Sequence, residues 1–476
     1  MLWVLNGAGK IGCRGIITGN HHQKIVNLQS IKQETMSNNY NQKPIDKIVQ
    51  PMQRFIQQEK SGGLLLGISV ILALILANTP LSHGYHEVLE QSFGFQWNNE
   101  TYFNYTIHHW INDGLMSIFF FVVGLELKRE IIGGELSNVR KALLPIVAAV
   151  GGMVMPALIY LLFNPSGEPH QGWGIPMATD IAFALGVLYL LGNKIPLALK
   201  VFLTALAIVD DLGAVLVIAF FYTAEINMIF LLAGLFILAL MYLGNKLGAR
   251  SIIFYAVLGI GGVWTCFLVS GVHATIAAVL AAFTIPADVK IRESVFIAKI
   301  NSYLERFKNI DPDQNTPTLT NEQLHVLEKM NEATLAATPP LQRLEHAMHP
   351  AVSFLIIPIF AIANAGVSLS IDIESLFNNN IAVGTALGLL LGKVIGVVGF
   401  SVLFIKLKIA RVPSGMTIKN LFGLGFLASI GFTMSLFVTS LAFTHEEYQT
   451  QAKIGIFAAS LIGGLIGYVI LNRSAK

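Results

Sequence analysis

The chain has 476 residues, of which 54% are hydrophobic and only 12% charged, and its mean hydropathy is +0.63. A charged fraction about half the soluble average of roughly 25% excludes an ordinary soluble enzyme, and a net charge of +3 is too small to suggest a nucleic-acid partner. Cys13 and Cys266 are far apart and lack metal-like spacing, so neither a zinc site nor a disulfide is indicated.

Residues 1–60 read as a cytoplasmic N-terminal extension. Gly7, Gly9 and Gly12 spell G-x-G-x-x-G, but that motif needs a βαβ unit. The polar Asn20-His21-His22-Gln23 follows instead, so no dinucleotide cofactor is expected. The apolar core of a signal peptide is missing. Met36 offers an alternative start, which would leave residues 1–35 untranslated. Ile45, Ile48, Val49, Met52, Phe55 and Ile56 recur at helical spacing, interrupted by Pro51, which predicts at most a short interfacial helix.

From residue 61 to 472 apolar stretches recur, each near the ~20 residues that cross a bilayer as a helix. They predict an all-α polytopic membrane protein with about twelve spans, at 62–79, 109–127, 142–163, 174–192, 196–222, 226–244, 251–268, 271–285, 347–368, 381–405, 418–443 and 452–472. Connections 80–110, 163–175, 222–226, 268–272, 368–380 and 443–452 contain no Lys or Arg. The opposite side carries Lys128, Arg129, Arg140, Lys141, Lys194, Lys246, Arg250, Lys406, Lys408, Arg411, Lys419 and Arg473. By the positive-inside rule both termini are cytoplasmic, in the inner membrane of a bacterium. The external loop 80–108, rich in aromatics such as Trp97 and Tyr105, predicts a short hairpin. Residues 286–346 form a cytoplasmic insertion with helical patches near 292–308 and 320–335.

Four charges lie deep in these spans. Asp210 and Asp211 bracket the midpoint of the fifth, Asp180 lies near the middle of the fourth, and Lys393 falls at the midpoint of the tenth. A carboxylate at the bilayer centre costs roughly 3 kcal/mol on insertion scales. Two adjacent carboxylates also repel, so a cation must compensate them. Three spans placing ionisable groups at one depth point to a site that binds a cation and protons in competition. A purely structural Lys393–Asp pair would leave the second aspartate and Asp180 unexplained.

Two spans carry breaks. The fourth opens with Gly172-Trp173-Gly174-Ile175-Pro176 and reaches Ala178-Thr179-Asp180 at mid-depth. The eleventh holds Gly423, Gly425, Ser429, Gly431 and Thr433. Unwound backbone is tolerated in a membrane where it lines a cavity. Each broken span is the second of a three-helix group, which suggests inverted repeats with two discontinuous helices crossing at the site.

The chain resembles the NhaA-type sodium/proton antiporters, the family that itself exemplifies the inverted-repeat rule. The resemblance runs from about Ser61 to the C-terminus, in strings that include Phe120 to Glu130, Met177 to Val187, Leu206 to Ala214, Ser270 to Thr275, Arg343 to His346, Phe360 to Gly366 and Ile430 to Ser435. It fails over residues 1–50, and the 286–340 insertion is longer than the family's connection. The resemblance implies that Asp210 and Asp211 exchange Na+ or Li+ for protons, Asp211 being the more direct ligand. It implies that Lys393 pairs with Asp210, and that Asp180 and Thr179 sit where the broken helices cross. It relates Glu126, Arg129, Glu130, Glu345, His346 and His273 to pH regulation. The expected function is electrogenic, pH-regulated expulsion of internal Na+ or Li+ against external protons. The expected partners are those ions and the lipid bilayer, with a homodimer as the candidate assembly and no enzymatic activity, cofactor or nucleic acid.

Two other functions use similar residues. A cation channel could line its pore with the same acids, but it would need no lysine beside them. An intramembrane aspartyl protease needs two facing aspartates. Adjacent residues on one helix diverge by about 100°, which excludes an Asp210–Asp211 dyad and leaves only Asp180 with Asp211.

Overall fold

The computed structural model describes residues 60–97, 100–223, 226–310, 318–367, 379–413 and 415–474. The readings made for residues 1–59, including the glycine motif, the Met36 start and the interfacial helix, lie outside the described residues.

Helix α1 (Lys60–Ala77) is apolar on every side and turns by 108° into α2 (Ser82–Glu90). Strands β1 (Ser92–Trp97) and β2 (Glu100–Thr106) pair antiparallel, from Ser92 opposite Thr106, with an irregularity between Phe93 and Phe95. This is the hairpin expected in 80–108. A helical turn at Ile107–His109 and a π-helical turn at Trp110–Leu115 lead into α3 (Met116–Gly133). Helix α4 (Val139–Phe163) begins where the Asn138 side chain accepts from the Arg140 N–H, satisfying one of the free donors of a helix start.

A 3-10 stretch, Glu168–Met177, precedes α5 (Ile181–Leu190). Then come α6 (Leu197–Phe221), α7 (Met228–Lys246), α8 (Ile252–Ser270) and the short α9 (Ala274–Thr284). The insertion is built from α10 (Glu293–Ile310) and α11 (Asn321–Ala337), which pack on each other. Helices α12 (Pro340–Asn364), α13 (Asn380–Lys406), α14 (Ile418–Ala428), α15 (Phe432–Ala442) and α16 (Glu446–Ser474) complete the chain.

The fold is predominantly helical. Among the described residues eight helices are long and apolar enough to cross a membrane, or ten if each of two bent pairs is one span. Two of the spans expected from hydropathy fall outside that count for physical reasons. Helix α3 ends in Glu126, Lys128, Arg129 and Glu130, and α9 has only 11 residues. Leu162, Phe220 and Ile229 are exposed on the outside of the bundle, the surface a bilayer would cover.

Helices in lipid associate through close packing rather than hydrophobic burial, so small residues mark their contacts. Helices α4 and α13 meet this way. A Cβ on Gly392 would lie 2.6 Å from the Pro156 Cα, closer than any side chain permits. That contact carries the neighbouring Lys393 into the centre of the protein, where it is fully buried.

The insertion is tied at its root. The N–H groups of Lys290 and Ile291 donate to the Ala336 carbonyl at 2.9 and 3.1 Å, and the Leu341 N–H donates to Pro286 O at 3.1 Å. Thr320 and Gln323 form a reciprocal cap at the start of α11.

Candidate functional site

Asp210 and Asp211 lie on α6 with 0% and 1% of their surface exposed. The Lys393 ammonium reaches from α13 and donates to Asp210 Oδ2 at 2.5 Å. Asp210 Oδ1 and Asp211 Oδ1 accept no hydrogen bond among the described residues. Asp211 faces Asp210, Asp180 and Lys393 through space, with Glu126 also within electrostatic reach. One ammonium therefore serves two adjacent carboxylates, and the second has no cation of its own. An unpaired buried charge is strongly unfavourable, so Asp211 needs either a proton or a bound cation.

The segments 178–180 and 429–431 cross beside this pair and exchange hydrogen bonds. Asp180 N–H donates to Ile430 O at 2.6 Å, and the Thr179 hydroxyl donates to Ala428 O at 2.9 Å. Asp180 caps α5 by accepting from Phe183 N–H on Oδ1 at 2.9 Å. Its Oδ2 accepts both the N–H and the hydroxyl of Thr433, at 2.9 and 2.6 Å, on the first turn of α15. One carboxylate thus holds the starts of two helices, where the helix dipoles favour negative charge. Ser435 adds a hydroxyl bond to Ile175 O at 2.8 Å. With three donors on its two oxygens, Asp180 is unsuited to share a proton with Asp211, which removes the dyad a protease would need. Thr179 lies against Asp210. Its hydroxyl hydrogen is engaged at Ala428, leaving its lone pairs for a cation.

The charged group at the end of α3 assembles across α3 and α12. Arg129 Nη2 lies 3.1 Å from Glu130 Oε1, and Arg129 Nε lies 3.2 Å from Glu345 Oε1. Glu126 sits beside Arg129, Glu130 and Glu345, and His346 is near Glu345. Arg129, Arg343, Glu345 and His346 line an open cavity of about 610 Å³. His273 is not part of this group. It stands at the start of α9, its Nε2 2.9 Å from the Tyr222 carbonyl oxygen at the end of α6.

Several residues were not distinguished by sequence reasoning. Lys128 donates to Phe283 O at 2.7 Å and also to Ile285 O, latching α3 to the last turn of α9. In sequence it reads only as one more cytoplasmic positive charge. Ser435 enters the sequence reading only as the end of the Ile430 to Ser435 string, without any sign of its contact with Ile175. At the other end of α3 the buried Asn112 accepts from the Asn364 amide at 2.8 Å, and His108 Nε2 lies 3.1 Å from Asn364 Oδ1.

The profile of the family described as Na+/H+ antiporter 1 matches residues 53–471. The chain is similar to a protein of Saccharophagus degradans named Na(+)/H(+) antiporter NhaA 1, at 46% identity over 91% of this chain and 93% of that one. It is also 46% identical to a Na(+)/H(+) antiporter NhaA of Wolinella succinogenes, covering 88% of this chain and 92% of the relative. A Na(+)/H(+) antiporter NhaA of Christiangramia forsetii is 42% identical over 90% of this chain and 96% of its own length.

Proposed function

The chain belongs to the Na+/H+ antiporter 1 family, and from that premise we propose that this multi-pass membrane protein expels internal Na+ or Li+ in exchange for external protons through Asp210 and Asp211. Sodium–proton exchange is the activity its relatives are named for. The observation that carries the site is the buried pair of carboxylates sharing one lysine, with an unpartnered oxygen on each.

The chemistry follows from that arrangement. Na+ is a hard cation and takes oxygen ligands: the Asp211 carboxylate, the free oxygen of Asp210 and the Thr179 hydroxyl. A proton on Asp211 and a cation beside it are alternatives, because each neutralises the same buried charge. Lys393 holds Asp210 while the cation is absent. Asp180 stays hydrogen-bonded at the crossing and keeps the two helix starts in place. Alternation of access to the two sides turns this competition into exchange.

The finer reading is also a proposal. Twelve spans with both termini cytoplasmic account for the Lys and Arg asymmetry. Two discontinuous helices, Glu168–Leu190 and Ile418–Ala442, then cross at the ion site. Exchange is electrogenic, since two carboxylates and one lysine offer more titratable positions than one monovalent cation balances. Glu126, Arg129, Glu130, Glu345, His346 and His273 adjust activity with pH. In proteoliposomes Asp211→Asn should insert but show no Na+-dependent proton movement, and wild-type exchange in that variant refutes the site. Sodium flux indifferent to an imposed potassium–valinomycin potential refutes electrogenicity, since a charge crossing a membrane responds by roughly 2.3 kcal/mol per 100 mV.

A further inference from the structure

The stretch Glu168–Met177, which leads into Ala178-Thr179-Asp180, keeps 3-10 geometry for 10 residues. Runs longer than about four residues are uncommon, because the hydrogen bonds of a 3-10 turn are poorly aligned. In a membrane such backbone persists where neighbouring groups satisfy it. Three hydroxyls do so here, each from a different helix or its end. Tyr160 of α4 donates to Pro169 O at 2.8 Å, and Ser435 of α15 donates to Ile175 O at 2.8 Å. Tyr222, immediately after α6, donates to Gln171 O at 2.6 Å and accepts the Gly174 N–H at 3.2 Å.

The glycines of Gly172-Trp173-Gly174 make room for these hydroxyls. A Cβ on Gly172 would overlap the Tyr160 hydroxyl, and one on Gly174 would stand 2.7 Å from the Tyr222 hydroxyl. Neither glycine has a positive φ, so what glycine supplies is space rather than backbone freedom. Between them Trp173 lays its indole against the Tyr222 ring, with centroids 6.5 Å apart, and meets Phe221 edge-on at 5.0 Å.

Tyr222 thereby gives α6 a second hold on this span. The first is at the carboxylate pair, where Thr179 lies against Asp210. From Asp210 to Tyr222 the helix rises about 18 Å, at about 1.5 Å per residue. Two points fixed on one rigid helix set the register of the segment between them, which a single point would leave free to slide. The Thr179 hydroxyl hydrogen is held at Ala428 O, 2.9 Å away. The direction of its lone pairs therefore depends on that register.

We propose that Tyr222 is a positioning residue for exchange, its hydroxyl fixing the register of Glu168–Asp180 against α6 and so holding the Thr179 oxygen beside the carboxylate pair, where a bound Na+ takes it as a ligand. This rests on the exchange reading and adds to it the group that sets the geometry of the ligands.

The test reconstitutes the full-length protein in proteoliposomes and measures KM and kcat for Na+ at one fixed pH. Tyr222→Phe keeps the ring against Trp173 and removes only the hydroxyl. It should raise KM about fivefold, the equivalent of one neutral hydrogen bond. Its kcat should stay within about twofold of the unsubstituted value, the pattern of a lost binding contact. Gly174→Ala, whose methyl displaces the hydroxyl, should raise KM by a similar factor. Combining the two should add nothing, because the group that the methyl meets is gone and the nearest ring carbon is 3.1 Å away. Thr179→Val combined with Tyr222→Phe should likewise show the KM of Thr179→Val alone. Independent effects would multiply instead. Tyr222→Phe with an unchanged KM, whatever its kcat or yield, overturns the proposal, and so does a multiplied KM in either double variant. Absence of Na+–proton exchange in the unsubstituted protein refutes the exchange reading itself, a separate outcome.

Discussion

Replacing Thr433 by valine tests whether Asp180 carries a charge at the crossing of the two broken segments. Thr433 gives Asp180 Oδ2 a backbone bond of 2.9 Å and a hydroxyl bond of 2.6 Å. Valine keeps the shape and the backbone bond and removes only the hydroxyl. Thr433 is 6% exposed, so water has little access to replace it. A hydrogen bond to a charged acceptor contributes about 1.5–3 kcal/mol, whereas a neutral one contributes about 1 kcal/mol. We therefore expect Thr433→Val to cost about 2 kcal/mol. Ser435→Ala, which removes a neutral hydroxyl–carbonyl bond to Ile175, should cost about 1 kcal/mol. Apparent melting temperatures of the purified proteins in detergent, at one scan rate, read the difference as a drop about twice as large for Thr433→Val. The cycle is completed with Asp180→Asn, alone and combined. The hydroxyl should then be worth only its neutral value, a coupling of about 1 kcal/mol. Equal losses for Thr433→Val and Ser435→Ala, or no coupling to Asp180→Asn, would mean that Asp180 is neutral there and would refute the account of two helix starts held by one negative charge.

Lys393→Met leaves Asp210 without its buried counter-ion, a loss of about 3–5 kcal/mol when the carboxylate is ionised. The destabilisation should therefore be larger at about pH 9 than at about pH 5, and equal melting losses at both would contradict an ion pair. Lys128→Met removes the donor to Phe283 and Ile285. It should cost about 1.5–3 kcal/mol and raise hydrogen exchange in the last turn of α9, and unchanged exchange there would show that the latch holds nothing. Gly392→Ala drives a methyl to 2.6 Å from Pro156, whereas nothing lies within 4 Å of a methyl added at Gly399. The first should lose about 1–3 kcal/mol by overpacking and the second far less, and comparable melting temperatures for the two would argue against the close approach of α4 and α13.

The sequence made the candidate site conspicuous and its support invisible. Asp210, Asp211 and Lys393 stand out because charge is so costly in an apolar run that each one demands an explanation. Asp180 stood out for the same reason. Its three donors did not, because two of them come from Thr433, more than two hundred residues away and brought close only by packing. Lys128 was legible as a charge and not as a latch, since a positive residue at a helix end equally well signals orientation. Hydropathy also read 109–127 as an ordinary span and 271–285 as a short one, open to being partly re-entrant. The structure gives α3 a charged end and α9 only 11 residues, differences that depend on where a helix stops rather than on how apolar it is. The β1–β2 hairpin was foreseeable from an aromatic segment between turn-forming residues. The π-helical turn after it was not, because no residue type marks that geometry.

The rooted helix pair α10–α11 has a practical consequence. Its two strands of backbone leave and rejoin the rest of the molecule at Pro286 and Leu341, within a single hydrogen bond of each other, and are clamped again at Ala336. A segment that departs and returns at one point can be exchanged for another compact domain without changing the spacing of the helices on either side. It is also a handle. A rigid protein grafted onto α10 and α11, or an antibody fragment raised against them, would stand at a fixed angle to a 51.8 kDa body otherwise hidden in detergent. Electron microscopy could then align single particles by that mast.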